Sequence, residues 1–99
     1  MRALTISAHG GFERLEVRDD VPMPELRAPT DVRVRIRAAA LNRLDLFLLS
    51  GLPGVTITPP WIVGSDGAGE VDAVGPDVRG VAPGDRVLLN DHRASAQWP

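Results

Sequence analysis

The sequence predicts a mainly β domain, folded as a small, partly open β-barrel with one short helix. Three observations predict this class: short segments in which apolar and polar residues alternate, glycines and prolines between those segments, and a single stretch with a helical period. The 99 residues suffice for one domain with a modest core. A composition of 43% hydrophobic and 24% charged residues is ordinary for a globular protein.

Short strands are predicted where the alternation is clear and turn residues flank it. The first two cover residues 3–7 and 15–18 and are joined by a turn at His9-Gly10-Gly11. Prolines between residues 22 and 29 exclude a central strand there, because proline lacks the N–H that a ladder needs. Two later strands, 70–74 and 86–89, flank a turn at Pro83-Gly84-Asp85.

The strand that follows Asp31 shows the plainest alternation in the chain. One face is apolar and the other is cationic, with Val32, Val34, Ile36 and Ala38 on the first and Arg33, Arg35 and Arg37 on the second. This pattern is typical of a half-buried antiparallel strand. We expect the arginine face to be solvated rather than to form an anion site.

Residues 41–50 change to a helical period. The apolar positions are Leu41, Leu44, Phe47 and Leu48, and this stripe is predicted to face the core. Asn42 is the predicted N-cap, with Asp45 in the first turn, where a carboxylate suits the positive end of the helix dipole. Gly51 is the predicted C-terminal glycine.

Charge and composition exclude several classes of function. A net charge of −2 gives no electrostatic footprint for nucleic acid or for an anionic membrane surface. The absence of cysteine excludes disulfides and thiolate metal sites. The N-terminus is too short and mixed for a signal peptide, and no apolar run could span a bilayer. We therefore expect a cytoplasmic protein.

The most specific motif is the glycine spacing between residues 64 and 78. Gly64, Gly69, Gly75 and Val78 give Gly-x-x-x-x-Gly-x-x-x-x-x-Gly-x-x-Val. Together with Leu41-Asn42-Arg43-Leu44-Asp45 and Pro83-Gly84-Asp85-Arg86-Val87, this motif resembles the N-terminal, GroES-like half of the medium-chain dehydrogenase/reductase family. The resemblance implies a GroES-like domain over residues 1–90. Residues 91–99 show neither a period nor an apolar face and are predicted to be an irregular tail, for which a truncation or a frameshift is one explanation.

The resemblance departs from the zinc-dependent members at the metal ligands. Those members carry cysteine where Asn42 stands and histidine where Ser65 stands, and neither residue here is a zinc ligand. Asp66 replaces the glutamate that follows the histidine. We therefore predict no catalytic zinc and no other metal site. The pattern is similar to the zinc-independent quinone oxidoreductases, with Asn42, Asp45, Ser65 and Asp66 as the candidate catalytic residues.

The resemblance implies hydride transfer between NAD(P)H as the cofactor and a small electrophilic substrate such as a quinone. Arg43 and Phe47 are the candidate cofactor-facing residues. The nucleotide-binding half of the family is missing from these residues, because no strand–Gly-x-Gly-x-x-Gly–helix pattern occurs. We therefore expect the chain alone to be inactive, and to associate with itself or with a separate nucleotide-binding domain.

Structural roles remain open for every one of these residues. Asn42 serves equally as a helix cap and Asp45 as a first-turn carboxylate. Ser65 and Asp66 serve as turn formers, Phe47 as a core residue and Arg43 as a solvated side chain. Two other functions also remain open. One is a non-enzymatic interaction module built on the same barrel, and the other is an inactive gene fragment.

Overall fold

The fold was analysed in a computed structural model, which describes residues 1–51, 53–54 and 56–89. Within these ranges the elements are β1 (Ala3–Ile6), β2 (Leu15–Arg18), β3 (Val32–Ala40), α1 (Arg43–Ser50), β4 (Trp61–Ile62), β5 (Asp66–Val74) and β6 (Arg86–Leu88). A single turn of 3-10 helix, Phe12–Arg14, precedes β2. The predicted mainly β class with one short α-helix is confirmed. The predicted tail at residues 91–99 lies outside the described residues.

The strands form two three-stranded antiparallel sheets, ordered β2-β1-β4 and β3-β5-β6. No ladder joins the two sheets over the described ranges, so these strands do not make one closed barrel. The chain divides correspondingly into two compact units. The first comprises Met1–Met23 and Leu41–Ser65, and the second comprises Pro24–Ala40 with the described residues from Asp66 onward.

The first unit is built around β1, which pairs with β2 on one side and with β4 on the other. Thr5 and Ile6 of β1 are its most buried residues, and Val21 and Leu49 complete the small core. Strand β4 was not predicted from the sequence. Only two of its residues pair, and the prolines before it hide the alternation that reveals longer strands.

In the second unit β5 is the central strand, and Val71 on β5 is its buried core residue. The strand begins at Asp66, four residues earlier than predicted, because Gly67 and Gly69 obscure its alternation. The register between β3 and β5 shifts twice, between Arg33 and Val34 and between Ile36 and Ala38. Both shifts are β-bulges or similar irregularities, which bend a strand and increase its twist.

The arginine face of β3 meets carboxylates on β5. Arg33 Nε lies 2.8 Å from Asp72 Oδ2, and Arg35 Nη2 lies 3.6 Å from Asp72 Oδ1. Arg37 Nη2 lies 3.8 Å from Glu70 Oε2. The predicted solvated cationic face is therefore a row of ion pairs, tight at Arg33 and loose at the two exposed arginines that follow.

Candidate functional site

The N-terminus of α1 carries two of the predicted site residues, Asn42 and Asp45, locked together as a capping box. Asn42 Oδ1 accepts the N–H of Leu44 at 3.0 Å, and Asp45 Oδ2 accepts the N–H of Asn42 at 3.0 Å. This arrangement satisfies backbone donors that the first turn of a helix leaves without partners. The predicted cap is confirmed, and Asp45 is its second member.

The other end of α1 is held by the loop that follows β1. Gly10 N–H donates to Leu49 O at 2.8 Å, and the imidazole of His9 lies with Nδ1 2.8 Å from Leu48 O. Gly51 ends the helix at φ 106°, a conformation that favours glycine. The helix is thus fixed at both ends, which fixes the position of its N-terminal residues.

The burial of α1 differs from the predicted stripe. Asp45 and Leu49 are the buried residues of the helix, whereas Leu41 is exposed and Phe47 is 48% exposed. The prediction of Phe47 as a core residue is therefore wrong. The inward face includes Asp45, whose carboxylate closes the capping box.

Asp45 is buried in an unusual way. The residue is only 6% exposed, and its second oxygen, Oδ1, has no hydrogen-bond partner among the described residues. Leaving a buried polar atom without a partner costs stability, so such an atom requires an explanation. Here Oδ2 accepts the capping hydrogen bond, whereas Oδ1 is buried without a partner among the described residues and lowers stability.

Ser65 lies beside Asn42, although 23 residues separate them in sequence. Asn42 Nδ2 lies 3.5 Å from Ser65 Oγ, at the outer limit of a hydrogen bond. Ser65 directly follows Gly64, whose φ of 109° turns the chain before the residue. The structure therefore brings together two of the residues at which the sequence departs from the zinc-dependent pattern.

An open, mainly apolar pocket of about 410 Å³ lies in the first unit and is lined by Asn42 but not by Ser65. Asn42 and Asp45 are its polar lining residues. The rest of its lining is apolar side chains from β1, β2, α1 and the segments next to them, among them Leu4, Phe12, Leu15 and Leu46. These wall residues were not predicted from the sequence. The one sequence feature that could have indicated the pocket is Phe12, a large apolar residue directly after Gly10-Gly11, which the structure leaves exposed.

Besides Ser65, three predicted site residues do not line this pocket. Arg43 and Phe47 are exposed on α1 and do not line it. Asp66 is exposed at the start of β5, in the second unit. The structure thus groups Asn42, Asp45 and Ser65, and the sites proposed for the other three remain predictions.

The donor atoms at this site do not fit zinc. Asn42 and Ser65 offer an amide and a hydroxyl, whereas zinc sites in proteins use thiolate, imidazole or carboxylate donors. Over residues 1–51, 53–54 and 56–89, no group of three or more His, Cys, Asp or Glu residues could hold a metal ion. In the same ranges, no helix has the length and apolar character needed to cross a bilayer.

Comparison with known proteins gives concordant matches. The family model described as "Alcohol dehydrogenase GroES-like domain" matches residues 28–97. A quinone oxidoreductase of Pseudomonas aeruginosa is 45% identical over 89 residues, which are 87% of this chain and 26% of that protein. A zinc-type alcohol dehydrogenase-like protein of Schizosaccharomyces pombe is 39% identical over 80 residues, 81% of this chain and 23% of that protein.

A solved structure agrees with these sequence matches. The crystal structure of an NAD-dependent alcohol dehydrogenase superposes with a TM-score of 0.82 at 51% sequence identity, covering 91% of this chain and 26% of that one. The chain therefore spans about a quarter of the length of the relatives that it matches.

Proposed function

Because the chain belongs to the alcohol dehydrogenase GroES-like domain family, within the medium-chain dehydrogenase/reductase superfamily, we propose that it is the substrate-side domain of an NAD(P)H-dependent oxidoreductase. Its type is that of the zinc-independent quinone oxidoreductases. The observation that carries this proposal is that Asn42, which lines an apolar pocket, also pairs with Ser65. An amide and a hydroxyl there suit hydrogen bonding to a neutral polar group of the substrate rather than metal ligation.

The pocket supports a small apolar substrate. A volume of about 410 Å³ is sufficient for a single-ring molecule and falls in the usual range of about 300–1,000 Å³ for ligand sites. Asn42 Nδ2 supplies a donor for a substrate carbonyl, and Ser65 Oγ supplies a hydroxyl beside it. Asp45 holds Asn42 in place through the capping box. Asp66 completes the set of residues that we assign to the substrate side.

The nicotinamide cofactor requires a second domain. The described ladders are all antiparallel, and α1 is the only α-helix in the described residues, so these residues do not build the βαβ unit that binds a dinucleotide. When bound, the cofactor supplies the hydride chemistry. Arg43 and Phe47, both exposed on α1, are the residues that we assign to face it. A separate nucleotide-binding domain is the proposed partner, and the proposed location is the cytoplasm.

A domain exchange tests this function. The matching N-terminal region of the Pseudomonas aeruginosa quinone oxidoreductase is replaced by residues 1–89 of this chain, and quinone-dependent oxidation of NADH and NADPH is measured. We expect activity in the chimera and none in the isolated chain. Asn42→Ala in the chimera removes the amide, whereas Arg79→Ala, on an exposed residue of the second unit, is the matched control.

Two results would contradict the proposal. A folded chimera that oxidises alcohols but reduces no quinone would favour the alcohol dehydrogenase relatives. A folded chimera with neither activity would favour an interaction module or an inactive domain.

A further inference from the structure

The pocket of the first unit is lined by two parts of the chain that are far apart in sequence. One part is a single face of α1 and the residues just before it, where positions four apart recur: Leu41, Asn42, Asp45, Leu46 and Leu49. The other part comes from β1, the 3-10 turn, β2 and the residue after β4: Leu4, Phe12, Leu15 and Val63. The width of the pocket therefore depends on how closely α1 is held to the segment that contains β1 and β2.

Two hydrogen bonds join these two parts at the C-terminal end of α1. The imidazole Nδ1 of His9 lies 2.8 Å from Leu48 O, and Gly10 N–H donates to Leu49 O at 2.8 Å. Because a carbonyl oxygen can only accept, Nδ1 of His9 carries the hydrogen. Both carbonyls belong to the last turn of α1, where a helix leaves its carbonyls without partners. The loop after β1 therefore holds the helix through groups that the helix itself cannot satisfy.

This junction is continuous with the lining of the pocket. Leu49 accepts the hydrogen bond from Gly10 and also lines the pocket, and Phe12 lines it two residues after Gly10. The His9 ring lies against the end of the helix, since a Cβ built on Gly51 would be 3.6 Å from His9 Cγ. A change in how His9 holds the helix is therefore transmitted to lining residues on both sides of the pocket.

We propose that His9 is a positioning residue that sets the width of this pocket, and thereby the bulk of the ring that the pocket admits. Its hydrogen bond holds the loop after β1 against α1, and when that bond is lost Gly10 is the remaining member of the pair. The pocket then widens, and bulky rings gain affinity relative to compact ones. The inference rests on the proposed function, because it takes the pocket as the site of a quinone. All of the contacts that carry it lie within the first unit.

The test compares two quinones that have the same ring and the same two carbonyls and differ only in bulk, dimethylbenzoquinone and di-tert-butylbenzoquinone. Each is titrated into the 99-residue chain, and the amide NMR shifts of the pocket residues give both dissociation constants. The chain contains neither lysine nor cysteine, so no such side chain forms an adduct with a quinone. We expect the wild type to prefer the dimethyl compound.

Variants of His9 separate its hydrogen bond from its bulk. His9→Leu keeps an apolar group beside Gly51 but removes the donor, and the preference for the dimethyl compound should fall by at least about threefold, in line with the loss of one hydrogen bond. His9→Asn keeps an N–H donor at the same number of bonds from Cα, and its preference should stay within about twofold of the wild type. Arg2→Leu, on a residue of the same unit with an exposed side chain, is the matched control and should leave the preference unchanged.

The outcomes distinguish this inference from the proposed function. A purely structural role would lower the free energy of unfolding of His9→Leu but leave the ratio of the two dissociation constants unchanged, and that result would overturn the inference alone. If His9→Leu does not fold, His9→Gln, whose donor is one bond further from Cα, should shift the ratio in the same direction, and an unchanged ratio there would equally overturn it. No binding of dimethylbenzoquinone at about 5 mM, or shifts that map away from the pocket, would overturn the quinone site on which both proposals rest.

Discussion

Gly69 on β5 packs directly against the backbone of Arg35 on β3. A Cβ at position 69 would overlap the Arg35 carbonyl group, well inside the 3.0 Å that real Cβ contacts respect. Gly75 stands in the same relation to the backbone carbonyl of Pro29. Gly64, the first glycine of the motif, has φ 109°. The spacing of the three glycines thus reflects the course of the backbone and does not depend on the chemistry of residues 65 and 66.

Replacing Gly69 with alanine should separate β3 from β5. We expect Gly69→Ala to lower the free energy of unfolding by about 3 kcal/mol or more, since the overlapping atoms belong to the backbone and cannot rotate away. Gly80→Ala is the matched control. Gly80 has φ 87°, but no other atom lies within 4 Å of the point that an alanine Cβ would occupy, so only the conformational cost of about 1–2 kcal/mol applies. Urea unfolding of both variants measures the difference, and equal losses would contradict the close-contact explanation.

The local features of the sequence predicted the local structure well. Asn42, Asp45 and Gly51 encode the start and end of α1 in residues that are close together in the chain, and the structure has that cap and that end. The glycines at 64, 69 and 75 likewise reflect constraints that are visible as a fixed spacing. Such features need no knowledge of the tertiary fold, because each depends on dihedral angles and on hydrogen bonds a few residues apart.

Tertiary features could not be predicted in the same way. Which face of α1 is buried depends on the loop after β1, which meets the helix through His9 and Gly10 and leaves Phe47 exposed. The pocket walls come from separate segments that the sequence does not link. The ion pairs of β3 depend on a register with two shifts, and periodicity alone cannot specify such a register.

Substitutions of Asn42 should separate its cap role from its proposed site role. Asn42→Ala removes the acceptor for Leu44 N–H and should lower the free energy of unfolding by about 1 kcal/mol. Asn42→Ser keeps a capping oxygen but loses the amide beside Ser65, so its stability should remain near that of the wild type. Thermal unfolding of the chain measures the first role, and quinone reduction by the chimera measures the second. If Asn42→Ser retains full activity in the chimera, Asn42 is a cap alone.

Acid should weaken the turn that precedes β3. The pKa of Asp31 is lowered from its ordinary value of 3.8, chiefly by the hydrogen bond from the backbone N–H of Arg27 and then by that from Ala28. Since the folded pKa lies below the unfolded one, this stabilisation is complete above about pH 3.8 and is lost as the pH falls through the folded pKa.

Asp31→Asn should therefore flatten the acid limb of the stability profile. Unfolding free energies measured from neutral pH downward should fall less in the variant than in the wild type. Part of the slope should remain, because the pKa of Asp20 is also lowered, chiefly by the hydrogen bond from Arg18. Asp77→Asn, on an exposed residue, is the control for the removal of one negative charge. A slope that is the same in Asp31→Asn and in the wild type would contradict the assignment.

Zinc binding provides the sharpest comparison between this chain and the zinc-dependent branch of its family. Asn42 Nδ2 lies 3.5 Å from Ser65 Oγ, so the backbone places positions 42 and 65 close enough for both side chains to bind one metal ion. The wild type should retain well under about 0.1 equivalents of zinc after equilibration and desalting, because neither an amide nor a hydroxyl supplies the charge or the basicity of a zinc ligand.

The double variant Asn42→Cys with Ser65→His introduces a thiolate and an imidazole, and it should retain substantially more zinc. Asn42→Ser with Ser65→Thr is the matched control and should retain none. Stoichiometric zinc in the wild type would overturn the assignment to the zinc-independent branch. Failure of the folded Cys–His variant to gain zinc would show instead that a thiolate and an imidazole at these two positions are not sufficient for a zinc site.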